Sequence, residues 1–341
     1  MNIPIPELPF DEEVSLLVTI SSIRRRYQQG KAVLEATTRN HTGSITLKFP
    51  DELTRTHGVP QAGLWRITGK LESTFDKSQL SVSSYSQVDL EQYRAESEHE
   101  PLLPRAFTLD IETLTLEDFR ERVGSQLERN LRLGSMRWEQ QQRYLEDIAA
   151  EEERCYQLGS LTATSGRVLS IAVHVGGVAG LQLGGLAQKE SEHVFGIDSN
   201  GNEEGERELL EKFLRLMSDF DPEIDEVVGH NILAFDLPFI FQRCLVHCLH
   251  AKPFVNFGDY GSRGIFDTMH HWWLGDRRGR VSLDDLAWVL GIESSKSAEV
   301  DGSKIFDLYQ EGRLTDIREY NLKDVRVTRK VYERMKNCSG R

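Results

Sequence analysis

Apolar and polar positions change rhythm once along the chain. Up to about residue 92 the apolar runs are short, rich in β-branched residues and partly alternating: "EVSLLVTISSIRRRY", "KAVLEATTRN", "GSITLKF", "GLWRITGKLES" and "SQLSVSSYSQVDL". Such runs predict strands, with turns at Gln29-Gly30, His41-Thr42-Gly43 and Asp76-Lys77. "PDELTRTHGVP", between the third and fourth runs, predicts a short helix ending near Gly58. Residues 93–104, polar and ending in proline, predict a linker. From 105 to 341 the pattern is mixed α/β. "RAFTLDIE", "GRVLSIAVHV", "SEHVFGI" and "DEVVGH" predict four strands, and "EGERELLEKFLRLMSDF" has the spacing of an amphipathic helix. "AFDLPFIFQRCLVHCL", "IFDTMHHWWL", "SLDDLAWVLGI" and a last long helix, "DIREYNLKDVRVTRKVYERMK", follow. An insertion at 114–164 carries two charged, solvent-facing helical stretches, "EDFRERVGSQLERN" and "RWEQQQRYLEDIAAEEERCYQL". It is either a lid or an excursion from the fold.

Five strands with a helix between the third and fourth is the order of a small all-β OB-fold barrel, here over residues 1–92. "TRNHTGSITLKF" resembles the second-to-third strand hairpin of nucleic-acid-binding OB domains. Arg24 and Arg26 in "IRRRY", with Trp65, Phe75 and Tyr85, would form a platform for a single strand. Alternation keeps Arg24, Arg25 and Arg26 from all facing one groove. The bland alternative is a barrel that only recruits a protein partner.

Composition changes this picture little. Hydrophobic content of 39% and charged content of 28% are those of a soluble globular protein, and no apolar run reaches a membrane span. The first residues, "MNIPIPELPFDEEV", lack the basic and apolar regions of a secretory signal. Four cysteines without a paired framework suit a reducing cytoplasm. A net charge of −13 argues against a broad basic grip on nucleic acid. It leaves room for an enzyme that touches a few phosphates and draws positive charge from metal ions.

The candidate chemistry lies in acids set into apolar sequence. In "FTLDIET", Asp110 and Glu112 are two apart in a strand and so share a side. Like charges that close are costly unless something positive lies between them. Asp236 opens an apolar helix in "GHNILAFDLPFI", and Tyr320 and Asp324 in "REYNLKDVRVT" share a helix face at a spacing of four. Singly, Asp236 reads as a helix cap, Tyr320 as core and Asp324 as a surface charge. Together they suggest hard divalent cations, which prefer carboxylate oxygen. Two such ions can clamp the attacking and leaving oxygens of a phosphodiester displacement.

"FTLDIET", "GHNILAFDLPFI" and "YNLKD" are similar to the three exonuclease motifs of the DEDD superfamily. The tyrosine four before the last acid resembles the DEDDy branch, and the proofreading domain of family-B DNA polymerases is the nearer likeness. The stretch from "VSLDDLAWVLGIESSK" to "VRVTRKVY" resembles stand-alone bacterial exonucleases related to that domain. The resemblance implies an RNase H-like (DnaQ-like) core over 105–341. It implies 3′→5′ hydrolysis of single-stranded DNA ends to nucleoside 5′-monophosphates with two Mg²⁺ or Mn²⁺ ions. Asp110, Glu112, Asp236 and Asp324 would ligate the metals and Tyr320 would position the attacking water. Asn231 would stand near the substrate, Leu114 would wedge against the terminal base, and Phe235 would line the site. Rival readings are an exoribonuclease and a catalytically silent nucleic-acid-binding adaptor.

Other motifs read as structure. "CLVHCLH" at 244–250 has no second ligand pair for zinc. "MHHWWL" reads as packing, with Trp272 or Trp273 available to stack on a base. "VGGVAGLQLGG" lacks the end of a phosphate loop and reads as a connecting hairpin.

Overall fold

The alternating runs of the N-terminal region form one six-stranded sheet. It is seen in a computed structural model of the chain, whose described residues are all except 1–7, 10–11, 21–22, 29–30, 41–42, 61–62, 75–76, 98–99, 124–145, 148, 151, 157, 180–188, 198–202, 223, 252–263, 275–279, 295–303 and 340–341. The strands are β1 (Glu13–Ile20), β2 (Arg24–Gln28), β3 (Lys31–Asn40), β4 (Gly43–Phe49), β5 (Gly63–Thr74) and β6 (Lys77–Gln87), with helix α1 (Asp51–His57) between β4 and β5. Their order is β1-β5-β6-β4-β3-β2. Neighbours are antiparallel except β4 and β6, which run parallel. Alternation buries Val18, Ile20, Leu47, Phe49, Ile67 and Leu80 completely.

Three expectations change here. The first run splits, because Arg24–Gln28 folds back on β3 as a hairpin strand instead of continuing β1. The barrel is also not closed: β1 meets β3 only at Thr19–Arg39 and Ile20–Thr38. The expected linker begins as a helix, α2 (Leu90–Glu96). Asp89 accepts a hydrogen bond from the Gln92 N–H at 2.8 Å, and Gln92 Oε1 accepts one from the Asp89 N–H. This reciprocal cap, with Tyr93 buried, orders what composition alone makes look like a tether.

The second sheet has β7 (Arg105–Thr115) at its centre, followed in the chain by β8 (Gly166–Gly177), β9 (Ser191–Gly196), β10 (Glu226–Gly229) and β11 (Ile265–Asp267). The order is β11-β10-β7-β8-β9. β8 is antiparallel to β7 and β9, whereas β10 is parallel to β7 and β11. The helices are α3 (Glu203–Met217), α4 (Asp236–Val246), α5 (Thr268–Trp273), α6 (Leu283–Val289), α7 (Ile305–Gln310) and α8 (Leu314–Ser339). Phe107, Leu109 and Ile111 join Leu209, Leu210 and Phe213 of α3 and Phe239 and Ile240 of α4 in the main core. Ala106, on the other side of β7, packs with Val327, Val331 and Tyr332 of α8. Among the described residues no helix is long and apolar enough to cross a membrane.

Two departures from regular pairing shape the site. β10 accompanies β7 only as far as Thr108, so the far half of β7 has β8 alone as a strand neighbour. The β7–β8 register also shifts between Glu112 and Thr113, where Leu169 is the extra residue on β8. Next to this bulge, the Val168 N–H donates to Glu206 Oε1 at 2.7 Å. Glu206, fully buried, also accepts from Arg243 at 2.9 and 2.6 Å and pairs with His247 at 2.8 Å. Arg243 donates further to the Ala163 carbonyl. One carboxylate therefore ties the bulge, α3 and α4 together.

This network also accounts for "CLVHCLH". Cys244 is core, His247 serves Glu206, and Cys248 sits exposed at φ 54° after the helix ends. Of the 114–164 insertion, residues 119–123 and 152–156 are helical, and 124–145 lie outside the described residues. Arg120 pairs with Glu152 at 3.9 Å and with Glu153. Thr113 and Thr115 of β7 donate to the carbonyls of Ser160 and Tyr156, both at 2.8 Å, which fastens the end of the insertion to the site strand. The glycine-rich connection lies outside the described residues over 180–188.

Glu206→Ala is expected to leave Arg243 as an uncompensated buried charge and to cost about 3–5 kcal/mol. Chemical denaturation should show this as a lower midpoint, and Glu206→Gln should cost less because it keeps an acceptor.

Candidate functional site

On β7, alternation sends the side chains of 106, 108, 110 and 112 to the side covered by α8. Ala106 and Thr108 are fully buried, and Asp110 and Glu112 follow as the strand outruns β10, both partly buried. On α8, Ile317, Tyr320, Asn321, Asp324, Val327, Thr328 and Val331 recur at helical spacing along the face toward the sheet. The two periodicities bring Asp110, Glu112 and Asp324 together, with one carboxylate oxygen from each within 4.8 Å of the others. Among the described residues this is the one group of three or more metal-ligating side chains so placed.

Asp236 arrives from the other side of the gap left by β10. It is the first residue of α4 and is 3% exposed. Its Oδ1 accepts a hydrogen bond from the Ile111 N–H at 3.1 Å, a backbone donor between the two strand acids. The expected set of four acids thus resolves into three with converging oxygens and a fourth anchored to the strand backbone. Where β10 stops, the Asp236 carboxylate substitutes for a strand neighbour.

The electrostatics are those of crowded, poorly hydrated anions. Burial first, then the charges of Asp236, Asp324 and Glu112, push Asp110 well above the ordinary carboxylate range, partly offset by a hydrogen bond from Asn321. Glu112 is raised likewise, by burial and then by Asp324 and Asp236. Asp236 is pushed from its ordinary 3.8 up to about 7, chiefly by burial, while its own N–H and that of Ile111 pull it down. Tyr320, buried beside this cluster and hydrogen-bonded to Asp324, is raised too, by burial and by the neighbouring carboxylates, so its hydroxyl keeps its proton. Cations would relieve every one of these shifts. An all-oxygen set of carboxylates is the donor set that Mg²⁺ and Mn²⁺ favour.

Asn321 has no separate role in the sequence reading. It is fully buried. Its Nδ2 donates to Asp110 Oδ2 at 2.8 Å, and its Oδ1 accepts from Ser170 Oγ at 2.9 Å. The available signal was a polar residue on the same apolar face as Tyr320 and Asp324. Asp267 is a second omission. It caps α5 through the N–H groups of Met269 and His270, and accepts from those of Asn231 and Leu233 at 3.0 and 3.1 Å. It holds the turn that delivers Asp236.

The remaining candidates are placed less favourably. Asn231 stands in that turn at φ 60°, a left-handed conformation that Asn tolerates better than most residues. Phe235 is partly buried and tilted on Phe239 at 5.6 Å. Leu114 is a core residue, 3% exposed, because it stays on the packed strand past the acids, and it presents no wedge. Trp65 is buried in the small sheet with its ring edge-on to Tyr85 at 5.8 Å, which removes it from any stacking surface. Arg24 and Arg26 fall on one side of β2, opposite Glu35 and Val33, with their side chains and Phe75 outside the described residues. Trp272 is exposed, whereas Trp273 is packed with His270 at 4.9 Å.

Comparison with known proteins agrees with the core. A family described as "Predicted 3'-5' exonuclease related to the exonuclease domain of PolB" matches residues 167–341, which include Asp236, Tyr320 and Asp324 and begin beyond Asp110 and Glu112. No curated protein matches the chain. Among solved structures, the chain is similar to the family B DNA polymerase from the hyperthermophilic archaeon Pyrobaculum calidifontis, at 13% identity and a TM-score of 0.48. That likeness covers 94% of this chain, which spans 46% of the polymerase chain. The second OB-fold domain of replication protein A from Methanococcus maripaludis is matched over 29% of this chain and all of that one, at 14% identity and a TM-score of 0.22. A replication protein A heterotrimer bound to ssDNA is matched over 24% of this chain and 63% of that one, at 14% identity and a TM-score of 0.21. With its family match extending over half of its length, the chain belongs to the predicted 3′-5′ exonucleases related to the exonuclease domain of PolB.

Proposed function

We propose that the protein is a DEDDy-type 3′→5′ exonuclease with an RNase H-like core, removing nucleoside 5′-monophosphates from single-stranded DNA ends. The observation that carries this reading is the convergence of Asp110, Glu112 and Asp324 beside the buried Tyr320, with Asp236 next to them. Asp110, Glu112 and Asp324 would hold divalent cations, Mg²⁺ or Mn²⁺, with Asp236 completing the set for two ions. When bound, these ions supply Lewis acidity and charge stabilisation for phosphodiester displacement.

The chain's own contribution is placement. Tyr320, kept neutral by its surroundings, donates its hydrogen bond to Asp324. Its hydroxyl oxygen would accept one from a water and orient it for attack on the terminal phosphodiester, the water losing one proton to a neighbouring carboxylate as the bond from phosphorus to the leaving 3′-oxygen breaks. Asp236 lies across the gap beyond β10, the open end of the two parallel strands, where a terminal nucleotide would enter. The N-terminal sheet would act as an OB-type module that holds the strand upstream of the cut. Its parallel β4–β6 pair, the helix between β4 and β5 and the two partners of β1 support that reading. Tethering of this kind raises the local concentration of the end.

End-labelled oligomers test the reaction. Single-stranded DNA labelled at the 5′ end should shorten stepwise only when Mg²⁺ or Mn²⁺ is present, and 3′-labelled DNA should release mononucleotide at once. Asp110→Ala should lower the rate by about 10²–10³-fold, and Tyr320→Phe by about 10²-fold. Internal nicks, or cleavage in EDTA, would overturn the mechanism. Faster turnover of matched RNA would transfer the substrate to RNA.

Stability offers a second test. A carboxyl raised in the folded state favours folding when protonated. That contribution is complete below the ordinary 3.8 of Asp236 and is lost as pH rises to about 7. In EDTA, the wild type should therefore lose stability relative to Asp236→Asn across this window. At pH 8, Mn²⁺ at about 100 times its Kd should return about 2.7 kcal/mol to the wild type. Parallel pH profiles for the two proteins would contradict the assignment.

A further inference from the structure

We propose that Asn321 is a positioning residue that fixes the Asp110 carboxylate for cation binding, and that Ser170 in turn fixes the Asn321 amide. The inference rests on the cation-dependent reading above and extends it to residues outside the acidic set. Asn321 and Ser170 are both fully buried, so their polar atoms have only protein partners within reach. The Asn321 Nδ2 donates to one oxygen of Asp110, which arrests rotation of the carboxylate. The Ser170 hydroxyl donates to the Asn321 Oδ1, which leaves only the amide nitrogen to face Asp110. A flipped amide would set its oxygen against the Asp110 carboxylate oxygen.

The residue type matters as much as the geometry. A lysine or arginine at 321 would neutralise Asp110 and compete with a cation, and an aspartate would add a further like charge. A neutral amide does neither, so it orients the carboxylate and leaves its charge for the ion. The chain of contacts also joins three elements: β7 through Asp110, α8 through Asn321, and β8 through Ser170. Ser170 stands opposite Glu112 in the β7–β8 register, immediately beside the bulge. The packing of the whole sheet is in this way transmitted to one carboxylate.

Mn²⁺ binding to the full-length protein, read from the electron paramagnetic resonance signal of the free ion, tests the role without reference to turnover. Asn321→Leu should weaken Mn²⁺ binding about 10–100-fold, the usual effect of losing a partner that orients a metal ligand. Ser170→Ala should weaken it in the same direction, by about 10-fold. Single-strand binding in EDTA should be unchanged in both. A merely structural role would lower the melting temperature in EDTA while the folded protein bound Mn²⁺ as before, and would overturn the proposal. If Asn321→Leu fails to fold by circular dichroism, Ser170→Ala decides by the same measurement. Asp110→Ala separates the two levels. Wild type that binds Mn²⁺, Asp110→Ala that does not, and unaffected Asn321 and Ser170 variants overturn the positioning role alone. Wild type that binds no Mn²⁺ overturns the cation reading and this inference with it.

Discussion

Carboxylates repel one another, and holding several of them in a partly dehydrated place requires a scaffold that will not relax. Asp110, Glu112 and Asp324 bring oxygens within 4.8 Å while Asp236 adds a fourth charge close by. Each would gain by rotating into water or by taking up a proton. The surrounding fold denies the first option. Asp110 is tied to Asn321, Asp236 to the Ile111 backbone, and Asp324 to Tyr320 on its own helix. The second option remains open in the absence of cations, which makes proton and metal rivals for one set of oxygens.

The supporting structure is arranged around that repulsion. Glu206 is the buried acid with full compensation: Arg243, His247 and the Val168 N–H share its two oxygens. Asp267 is compensated in another way, by four backbone N–H groups, two from the turn after β10 and two from the first turn of α5. These two satisfied carboxylates brace both ends of the segment that carries Asp236, one at its entry turn and one at the far end of α4. At the end of β7, by contrast, Asp110 and Asp236 accept from neutral donors, and burial and neighbouring carboxylates raise Asp110 and Glu112. The two groups of buried acids thus differ in their partners, a cation and backbone N–H groups for one and mainly one another's charges for the other.

Much of this was legible in the chain. Strand and helix periods alone put Asp110 with Glu112 and Tyr320 with Asp324, because they decide which near neighbours share a side. The approach of Asp236 was not legible in that detail. It depends on β10 stopping beside Thr108, a length no local pattern announces. The burial of Leu114 and Trp65 was not legible for a related reason: it is settled by what packs over a large apolar residue. The split between β1 and β2 and the open barrel are also tertiary outcomes, invisible in a run of alternating residues. The role of Asn321 was not legible either, since an asparagine on a helix announces no single role until its partners are known.

The contact between Asp236 and the Ile111 backbone alters what a familiar experiment means. Replacing an active-site acid with alanine is commonly taken to delete a charge and nothing else. At position 236 the same change also strips a buried N–H of its acceptor at a place where the sheet has no strand to offer. Such an orphaned donor costs about 1–3 kcal/mol, and it lies on the strand that carries two of the other acids. An alanine there would blur the geometry of its neighbours as well as the local charge, whereas asparagine removes the charge and keeps the acceptor. Under the function proposed above, the amide is therefore the substitution that would best preserve the site for trapping a bound strand.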